Sequence, residues 1–354
     1  MPYLEGFRNS DGVYHIPPGE HTISPAVWTN LNMPVVIKGE GAGSSILEFE
    51  DSDGLDFSFA QDGAQQPWGL TMRDVTLRAK GNAGRALRVS YGRPESTSDH
   101  YRSSVNISDV CIDSGNTGSW GNGIELEGAW NPTLHNVYVS GSSAGGVWNN
   151  LSGNGITLKG MCVNAHLSNV RTNFWATGLH VHTAPDYPNT EGIFCSNCSM
   201  VAVKRGVWIC GNANHPAPRI STLTWTGGMI ECRVEGVTGG SAAFHLQKTW
   251  TALISGCQML AETITGCPET TYGLCIQDCS GVVVTGCDIN AFKMGVITTG
   301  DCKAINIHGN TFTNTEQQVY FTYGTTGSRS SGAVRFNDLP YEVDGAGVNQ
   351  VLAA

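Results

Sequence analysis

The sequence is poor in charged residues, in proline and in long apolar runs. Only 14% of its 354 residues are charged, and it has 14 prolines against 45 glycines. No apolar run approaches the roughly 18 residues of a membrane-spanning helix, and the N-terminal segment MPYLEGFRNSDGVYH lacks the apolar core of a signal peptide. These absences predict a soluble chain that is not exported by a signal of its own.

Basic residues are scarce as well. The formal net charge is −10 and the isoelectric point is near 5.4. Phosphate binding relies on clustered lysine and arginine. The composition therefore argues against a nucleic-acid partner.

The sequence has 12 cysteines but lacks a zinc-binding pattern. Cys195 and Cys198 form a Cys-x-x-Cys pair, and a structural zinc site usually needs a second such pair nearby. Most cysteines stand in apolar stretches such as CIQDCSGVVVTGC. We predict buried, reduced thiols that pack as small apolar side chains and no metal site; disulfide bonds or metal ligation are the alternative.

Glycine, asparagine, serine and threonine are abundant between short apolar runs, which is typical of an all-β chain with many turns. One unit recurs, a small residue followed by apolar residues at alternate positions. The shortest steps between its copies are 22 and 23 residues. The first apolar residues of the copies are Leu55, Leu87, Ile124, Ile156, Leu179, Val207, Phe244, Leu274, Val296 and Val319.

A second unit falls between these copies and has a turn residue followed, in most copies, by an apolar one. The turn residues are all Asp, Asn or Gly, which tolerate a left-handed backbone: Asp74, Asp109, Asn136, Asn169, Asn197, Gly228, Gly256, Gly286 and Gly309. The residues after them are predicted to form an inward stack of Val75, Val110, Val137, Val170, Cys198, Met229, Cys257, Cys287 and Asn310.

Two interleaved units with one short period indicate coils stacked on one another, each strand pairing with its copies above and below. A β-sandwich, the alternative, has no reason to repeat one turn chemistry nine times. The longer steps contain the same coil with inserted loops, which often build a binding site on one face.

The segments VYHIPPGEHTIS, VVIKGEGAGSSILEFE and INIHGNTFTN resemble the pectate-lyase-like right-handed parallel β-helix, and within it the tailspike depolymerases of bacteriophages. The resemblance covers roughly residues 13–315 and implies about ten or more coils, the first of them within about residues 13–50. It implies a fold more than a chemistry, because the family includes lyases, hydrolases, epimerases and pure binders.

The two ends depart from this pattern. No helix is predicted before the first coil, so we expect a missing segment or partner subunits to cover that edge. The last clear coil ends near Asn314. Residues 316–354 are predicted to form a separate C-terminal segment that serves trimer closure or capping.

Aligned coils stack their outward side chains at about 4.8 Å per coil. Glu125 and Glu127 share one strand face, about 6.7 Å apart along the chain. Arg88 lies below them and Lys159 above; the alternative is an ordinary solvated strand face. One predicted outward column is Asp56, Arg88, Glu125, Thr157, His180, Trp208, His245, Cys275 and Ile297, and the other is Ser58, Ser90, Glu127, Lys159, His182, Cys210, Gln247, Gln277 and Thr299.

Four tryptophans flank the strands of the same middle coils: Trp120, Trp130, Trp148 and Trp175. With Trp208 they are candidates for stacking on sugar rings. Arg88, His180 and His245 join them as candidate substrate-binding residues. The alternative is that the tryptophans plug coil ends or line a subunit contact.

We expect an endo-glycosidase that cleaves a bacterial capsule, exopolysaccharide or O-antigen. Repulsion between Glu125 and Glu127 would raise one pKa and leave the other carboxylate ionised, as the acid and base of glycoside hydrolysis require. A variant of this hypothesis places the carboxylates in a groove between subunits, at Asp186, Glu191, Glu231 or Glu235.

A polysaccharide lyase is the second hypothesis, with Lys159, His182 and Arg88 as base and cations. Calcium would be a cofactor in that case; otherwise no cofactor is predicted. A non-catalytic adhesin that binds a glycan by stacking is the third hypothesis.

The resemblance further implies a homotrimer in a bacteriophage tail, with the bacterial polysaccharide and other virion tail proteins as partners. No membrane insertion is expected. The chain would be made in the host cytoplasm without a signal peptide and act outside the cell. Reduced thiols agree with this origin, because the cytoplasm is reducing.

Overall fold

The computed structural model describes residues 4–60, 69–92, 104–115, 118–141, 151–183, 189–210, 219–233, 240–262 and 271–321, together with three short strands beyond them. These residues form a right-handed parallel β-helix, which confirms the predicted fold class. None of them forms a helix that is long and apolar enough to cross a membrane.

The chain alternates strands and short turns throughout. In chain order the strands are β1 (Val13–His15), β2 (Gly19–Thr22), β3 (Ala26–Leu31), β4 (Val35–Lys38), β5 (Ser45–Phe49), β6 (Leu55–Phe59), β7 (Gly69–Arg73), β8 (Thr76–Ala79), β9 (Asn82–Tyr91), β10 (Ser104–Asp113), β11 (Ser119–Glu127), β12 (Thr133–Ser140), β13 (Asn154–Lys159), β14 (Val163–Ser168), β15 (Arg171–Asn173), β16 (Thr177–His182), β17 (Asn189–Ser196), β18 (Ser199–Val203), β19 (Arg205–Cys210), β20 (Arg219–Thr226), β21 (Met229–Cys232), β22 (Ser241–Gln247), β23 (Thr249–Ser255), β24 (Gln258–Ala261), β25 (Thr271–Gln277), β26 (Ser280–Thr285), β27 (Asp288–Asn290), β28 (Met294–Thr299), β29 (Asn306–His308), β30 (Thr311–Thr313), β31 (Gln317–Phe321), β32 (Arg329–Ser331), β33 (Glu342–Val343) and β34 (Gln350–Leu352).

The strands build two parallel sheets. The front sheet has 12 strands, in the order β3, β6, β9, β11, β13, β16, β19, β22, β25, β28, β31 and β33. The other 22 strands form the back sheet, where two strands of one coil, such as β14 and β15, meet at a turn. Each strand pairs in parallel with its copy in the next coil, so the same position recurs at the same place in every coil.

The inward side chains of both sheets fill the coils with one continuous apolar core. Leu87, Ile124 and Ile156 stack in register on the inner face of the front sheet and are fully buried. Aromatic residues fill the wider places: Trp225 packs edge-on against Phe244, with ring centres 5.3 Å apart. Because side chains alternate with period 2 along each strand, every second residue joins this core and the residues between them form an outward stripe on the front sheet.

A left-handed turn joins the two back-sheet strands of each coil, and all nine predicted turn residues have positive φ. One coil differs from the prediction by one position. The amide of Asn197 donates to the carbonyl of Thr226, and the amide of Gly227 donates to that of Ser255, so Gly227 is the turn residue there. Gly228 takes the place of Cys198 in the inward stack, and Met229 lies outside it. Either of two adjacent glycines could be aligned with the turn residues of the other coils, and the hydrogen bonds show that Gly227 is the one.

Buried thiols bind the ends of strands in the coil below. Nine of the eleven described cysteines are buried. The thiol of Cys162 lies 3.3 Å from the carbonyl oxygen of Leu126, and that of Cys198 lies 3.4 Å from Leu167. At the top of the inward stack Asn310 has the same role, donating to Val284 at 2.9 Å. These cysteines are therefore hydrogen-bond donors as well as small core residues.

Further structure lies beyond both predicted ends of the coils. A 3-10 helix, Leu4–Phe7, lies before the first coil, and the side chain of Leu4 is buried in the core. At the other end β31 pairs with β28, and β32 and β34 extend the back sheet. Strand pairing therefore extends past residue 315, and the role of residues 316–354 in trimer closure or capping stays a prediction. The pattern was weak there because Gln318 stands where other copies have a small residue.

Substitutions at Gly227 and Gly228 test the assignment of Gly227 to the turn and Gly228 to the inward stack. A Cβ on Gly228 would lie 1.9 Å from the carbonyl oxygen of Cys198, whereas a Cβ on Gly227 would meet nothing within 4 Å. Both have positive φ. We expect Gly227→Ala to cost about 1 kcal/mol, the backbone strain alone, and Gly228→Ala to cost more than about 3 kcal/mol. Urea unfolding of both variants measures this, and equal losses would contradict the assignment.

Candidate functional site

The register of the front sheet confirms both predicted outward columns. Glu125 pairs with Arg88 below and Thr157 above, and Glu127 pairs with Ser90 and Lys159. Higher up, the two columns continue through His180, Trp208 and His245, and through His182, Cys210 and Gln247. At the top Cys275 and Ile297 are buried, so the polar stripe ends in the upper coils.

Ion pairs connect the lower coils of the stripe into a charged cluster of Asp56, Arg85, Arg88, Glu125, Glu127 and Lys159. Glu125 accepts a hydrogen bond from Arg85 at 3.0 Å. Arg88 donates to Glu127 at 3.0 Å and to Asp56 at 3.4 Å. Its Nε lies 3.3 Å from Glu125 but at an angle that makes no hydrogen bond. Lys159 donates to Glu127 at 3.3 Å.

These pairs decide the charge state of Glu127. Burial alone would raise its pKa, but hydrogen bonds and ion pairs with Arg88 and Lys159 outweigh burial and lower the pKa. Glu127 is therefore an ionised carboxylate at neutral pH and not the protonated acid of an acid and base pair. Two cations within contact distance outweigh the repulsion from Glu125, so Glu127 matches the ionised member of the predicted pair.

Above the charged cluster the outward columns carry imidazole and indole rings. We call these residues the aromatic stripe: His180, His182, Trp208 and His245. The rings of His180 and Trp208 stack with centres 4.5 Å apart, and His182 lies 4.8 Å from His180. His245 follows at 6.3 Å from Trp208. In-register stacking at about 4.8 Å per coil is what brings these rings face to face.

Burial keeps the three imidazoles uncharged. Burial, with repulsion from His182 and Arg205, lowers the pKa of His180 to about 4. Burial also lowers the pKa values of His182 and His245. In His182, Nδ1 lies 3.3 Å from the carbonyl oxygen of Thr183, which fixes Nδ1 as the donor and leaves Nε2 as an acceptor.

Several ring nitrogens of the aromatic stripe are buried without a hydrogen-bond partner. They are Nδ1 of His180, Nε1 of Trp208 and Nε2 of His245. Nε2 of His180 contacts the Cys210 thiol at 3.3 Å. Buried polar atoms are nearly always hydrogen-bonded, so an unpaired group of this kind calls for a specific explanation.

Arg205 belongs to the same site although the sequence did not indicate it. Its guanidinium carbon lies 4.5 Å from the centre of the Trp208 ring. As the first residue of β19, Arg205 precedes the regular alternation from which the outward columns were predicted. A cation three residues before an outward tryptophan was the available signal.

The structure corrects two of the predicted sugar-binding tryptophans. Trp120 and Trp175 are buried in the core, where their indole nitrogens donate to the carbonyls of Asp113 and Val139. They close the corners of the coil, where strand alternation no longer decides which side faces out. Trp130 is half-buried at a turn and forms a bridge with Val163. Trp148 lies outside the described residues.

The alternative carboxylates do not join this site. Glu191 is an exposed residue of β17 and Glu231 a half-buried residue of β21, so both belong to the back sheet. Asp186 and Glu235 lie outside the described residues.

Comparisons with known proteins agree on the fold. The A-module of the mannuronan C-5 epimerase AlgE6 from Azotobacter vinelandii matches with a TM-score of 0.59 at 13% identity, over 96% of this chain and 91% of that one. Tailspike protein 3 of bacteriophage CBA120 matches with 0.59 at 14% identity, over 99% of this chain and 58% of that one. The catalytic unit of the GH87 α-1,3-glucanase from Streptomyces thermodiastaticus matches with 0.54 at 13% identity, over 98% and 64%. At these identities the likeness concerns the fold alone.

A family described as periplasmic copper-binding protein (NosD) matches residues 102–331. No curated protein matches the chain. Within the described ranges no group of three or more His, Cys, Asp or Glu side chains could hold a metal ion. Burial raises the pKa values of the Cys162 and Cys279 thiols, which donate hydrogen bonds to carbonyls. The described residues therefore do not fit a copper site.

His180 makes the stability of the protein depend on pH. An unfolded histidine has a pKa near 6.5, and that of His180 is lowered to about 4 in the folded protein. The unfolded chain therefore binds a proton that the folded chain rejects, and stability falls as the pH drops from about 6.5 to about 4. When the pH is lowered from 7 to about 4.5, the free energy of unfolding should fall by about 2.5 kcal/mol less in His180→Gln than in the unsubstituted protein.

Urea unfolding at the two pH values measures this difference. His135→Gln, which removes an exposed imidazole from the back sheet, is the matched control. If His180→Gln and the unsubstituted protein lose the same free energy of unfolding when the pH is lowered, His180 is not held uncharged.

Proposed function

This chain belongs to the family described as periplasmic copper-binding protein (NosD), and we propose that it binds an extended polysaccharide along the front sheet and cleaves it there. The proposal rests on one observation, the half-buried aromatic stripe in which His180, Trp208 and His245 stack on the outer face of consecutive coils. No step of the proposed reaction uses copper, because the described residues do not fit a copper site.

Flat aromatic rings are suited to carbohydrate binding because the apolar faces of sugar rings stack on them. Trp208 lies at the centre of the stripe, between His180 and His245, and because its faces are stacked on neighbouring side chains a sugar would pack against the outer edges of these rings. Unpaired ring nitrogens beside it supply hydrogen bonds for sugar hydroxyls. A chain of sugars following the stack would continue from the aromatic stripe down to the charged cluster. Proteins of similar fold include an epimerase named for mannuronan and an α-1,3-glucanase.

Elimination is the reaction that the described side chains supply more completely. His182 is uncharged and has Nε2 as an acceptor, so it is a candidate base. It would take the C5 proton of a uronic acid, whose carboxylate is neutralised by Lys159. The electron pair forms the C4–C5 double bond, the C4–O bond breaks, and water protonates the leaving oxygen. Arg88 would remain the cation that holds Glu127 in place.

Hydrolysis is the second candidate, favoured by the spacing of the two glutamates. Residues two apart on a strand are about 6.7 Å apart, within the roughly 6.5–9.5 Å of inverting glycosidases. Glu127, with its lowered pKa, would be the base that activates water. Glu125 would have to donate the proton from a place where it already accepts a hydrogen bond from Arg85. This is why we place hydrolysis after elimination.

Product analysis tests the reaction. The protein would be incubated with purified capsular and exopolysaccharides, and the released oligosaccharides analysed by mass and ultraviolet absorbance. Elimination gives unsaturated products that lack one water relative to hydrolysis products. We expect His182→Gln to lower kcat at least about a hundredfold, the usual contribution of a general base. Glu40→Gln, a change at an exposed ion pair with His15, is the control.

Other outcomes have distinct meanings. Hydrated products, with Glu127→Gln inactive and His182→Gln active, would replace elimination by hydrolysis. Glycan binding without any product would leave a non-catalytic adhesin. If His182→Gln and Glu127→Gln both keep full binding and turnover, the front sheet is not the site.

We extend the proposal to a homotrimer on a bacteriophage tail, the setting that the resemblance to tailspike depolymerases implies. Trp250 and Leu253 are exposed on β23 of the back sheet, so this face carries apolar surface that a neighbouring subunit could cover. The chain has a mass of 37.7 kDa. Light scattering of the native protein should give three times that mass, and the mass of one chain would refute the trimer.

A further inference from the structure

Arg205 lies inside the aromatic stripe with no counter-charge among the described residues, and we infer that it forms, with His180, Trp208 and His245, a subsite for a carboxylate-bearing sugar. This inference rests on the proposed function, because it names the class of glycan that the front sheet binds. The subsite consists of Arg205, the stacked rings of His180, Trp208 and His245, and their unpaired nitrogens.

The isolation of Arg205 sets it apart from the other partly buried arginines. Among the described residues there are four of these, and each has a carboxylate within 4 Å: Asp113 for Arg78, Glu125 for Arg85, Glu127 for Arg88 and Glu262 for Arg233. Arg205 has neither an acidic nor a hydrogen-bond partner for its side chain in the described part of the chain. Burial without a counter-charge lowers its pKa. A desolvated, unpaired cation is costly, and an anion supplied by a ligand would remove that cost.

The surrounding atoms complete an anion-binding geometry. Nε1 of Trp208 can only donate a hydrogen bond, and it is buried without an acceptor. His180 and His245 each have one buried ring nitrogen without a partner. A neutral imidazole can present an N–H at such a position by its choice of tautomer. One guanidinium, with unpaired ring nitrogens on its own coil and on the two adjacent coils, therefore points to an acceptor-rich, negatively charged group.

The carboxylates of the charged cluster are too distant to be that group. From the strand of Glu125, β11, the front sheet passes through β13 and β16 before it reaches β19 and Arg205. Three steps of about 4.8 Å separate the two places by about 14 Å. The subsite is therefore separate from the charged cluster, although one glycan chain along the stripe would reach both.

A carboxylate is the anion that the geometry favours. The guanidinium carbon of Arg205 lies 4.5 Å from the centre of the indole ring, and a guanidinium group can bind a carboxylate through planar, two-point hydrogen bonding. Beside it the stacked Trp208 and His180 rings provide apolar edges against which the sugar that bears the carboxylate would pack. A sulfate or phosphate ester shares the charge but not the planar shape, so the experiment separates these sources.

Calorimetric titration with matched glycans tests the inference. The probes are oligomers of galacturonate, mannuronate and glucuronate-containing chains, each with its carboxyl-reduced neutral counterpart, and a sulfated neutral oligomer. The unsubstituted protein should bind one acidic oligomer at least tenfold more tightly than the neutral counterpart. Arg205→Gln should abolish this preference. Lys303→Gln, at an exposed ion pair with Asp301, is the control and should retain it.

Thermal unfolding without ligand separates binding from a structural role. Because Arg205 is desolvated and unpaired, Arg205→Gln should leave the midpoint unchanged or raise it. A lowered midpoint would assign Arg205 to stability and contradict the inference. Equal binding of acidic and neutral oligomers, unchanged binding in Arg205→Gln, or binding of none of the acidic oligomers would overturn it. If the sulfated neutral oligomer binds as tightly as the acidic oligomers and Arg205→Gln weakens its binding, the choice of a carboxylate is overturned.

Trp208→Ala distinguishes this failure from failure of the proposed function. If Trp208→Ala weakens binding of neutral and acidic oligomers alike while Arg205→Gln has no effect, the front sheet binds glycan but Arg205 does not read charge. If neither variant changes binding, both the inference and the proposed site are refuted.

Discussion

Parallel pairing of each strand with its copy one coil away is the constraint on which the rest of the structure depends. It places every outward side chain about 4.8 Å from its counterparts above and below. Like charges at that spacing repel, so the lower coils alternate in sign from Asp56 through Arg88 to Glu127 and Lys159. Neutral aromatic rings tolerate the same spacing because they stack, and they occupy the coils above.

The same stacking gives the upper coils their unusual electrostatics. Ring on ring excludes water from His180, Trp208 and His245, which keeps the imidazoles uncharged and leaves several nitrogens without partners. Arg205 shares that environment, and no acid among the described residues neutralises it. A site of this kind lowers the stability of the free protein and can regain it on binding a ligand, which is a common feature of functional sites. The charged cluster is the opposite case, since its cations and carboxylates neutralise one another.

Sequence reasoning succeeded wherever two periodicities agreed. The unit repeat and the period-2 alternation together predicted the fold, the left-handed turns and both outward columns, including the neighbours of Glu125 and Glu127. It failed where the alternation stops. Trp120 and Trp175 stand near coil corners and point into the core, and Arg205 begins a strand yet reaches the outer face.

The sequence by itself determined the solenoid, because apolar positions repeated at two and about 23 residues can all be buried only in stacked coils. It also determined which residues share a column. The tertiary structure alone decided what those columns do. Ionisation of Glu127, burial of the histidines and isolation of Arg205 depend on distances between side chains of different coils. A linear pattern brings such residues into register but does not specify rotamers, hydrogen bonds or the exclusion of water.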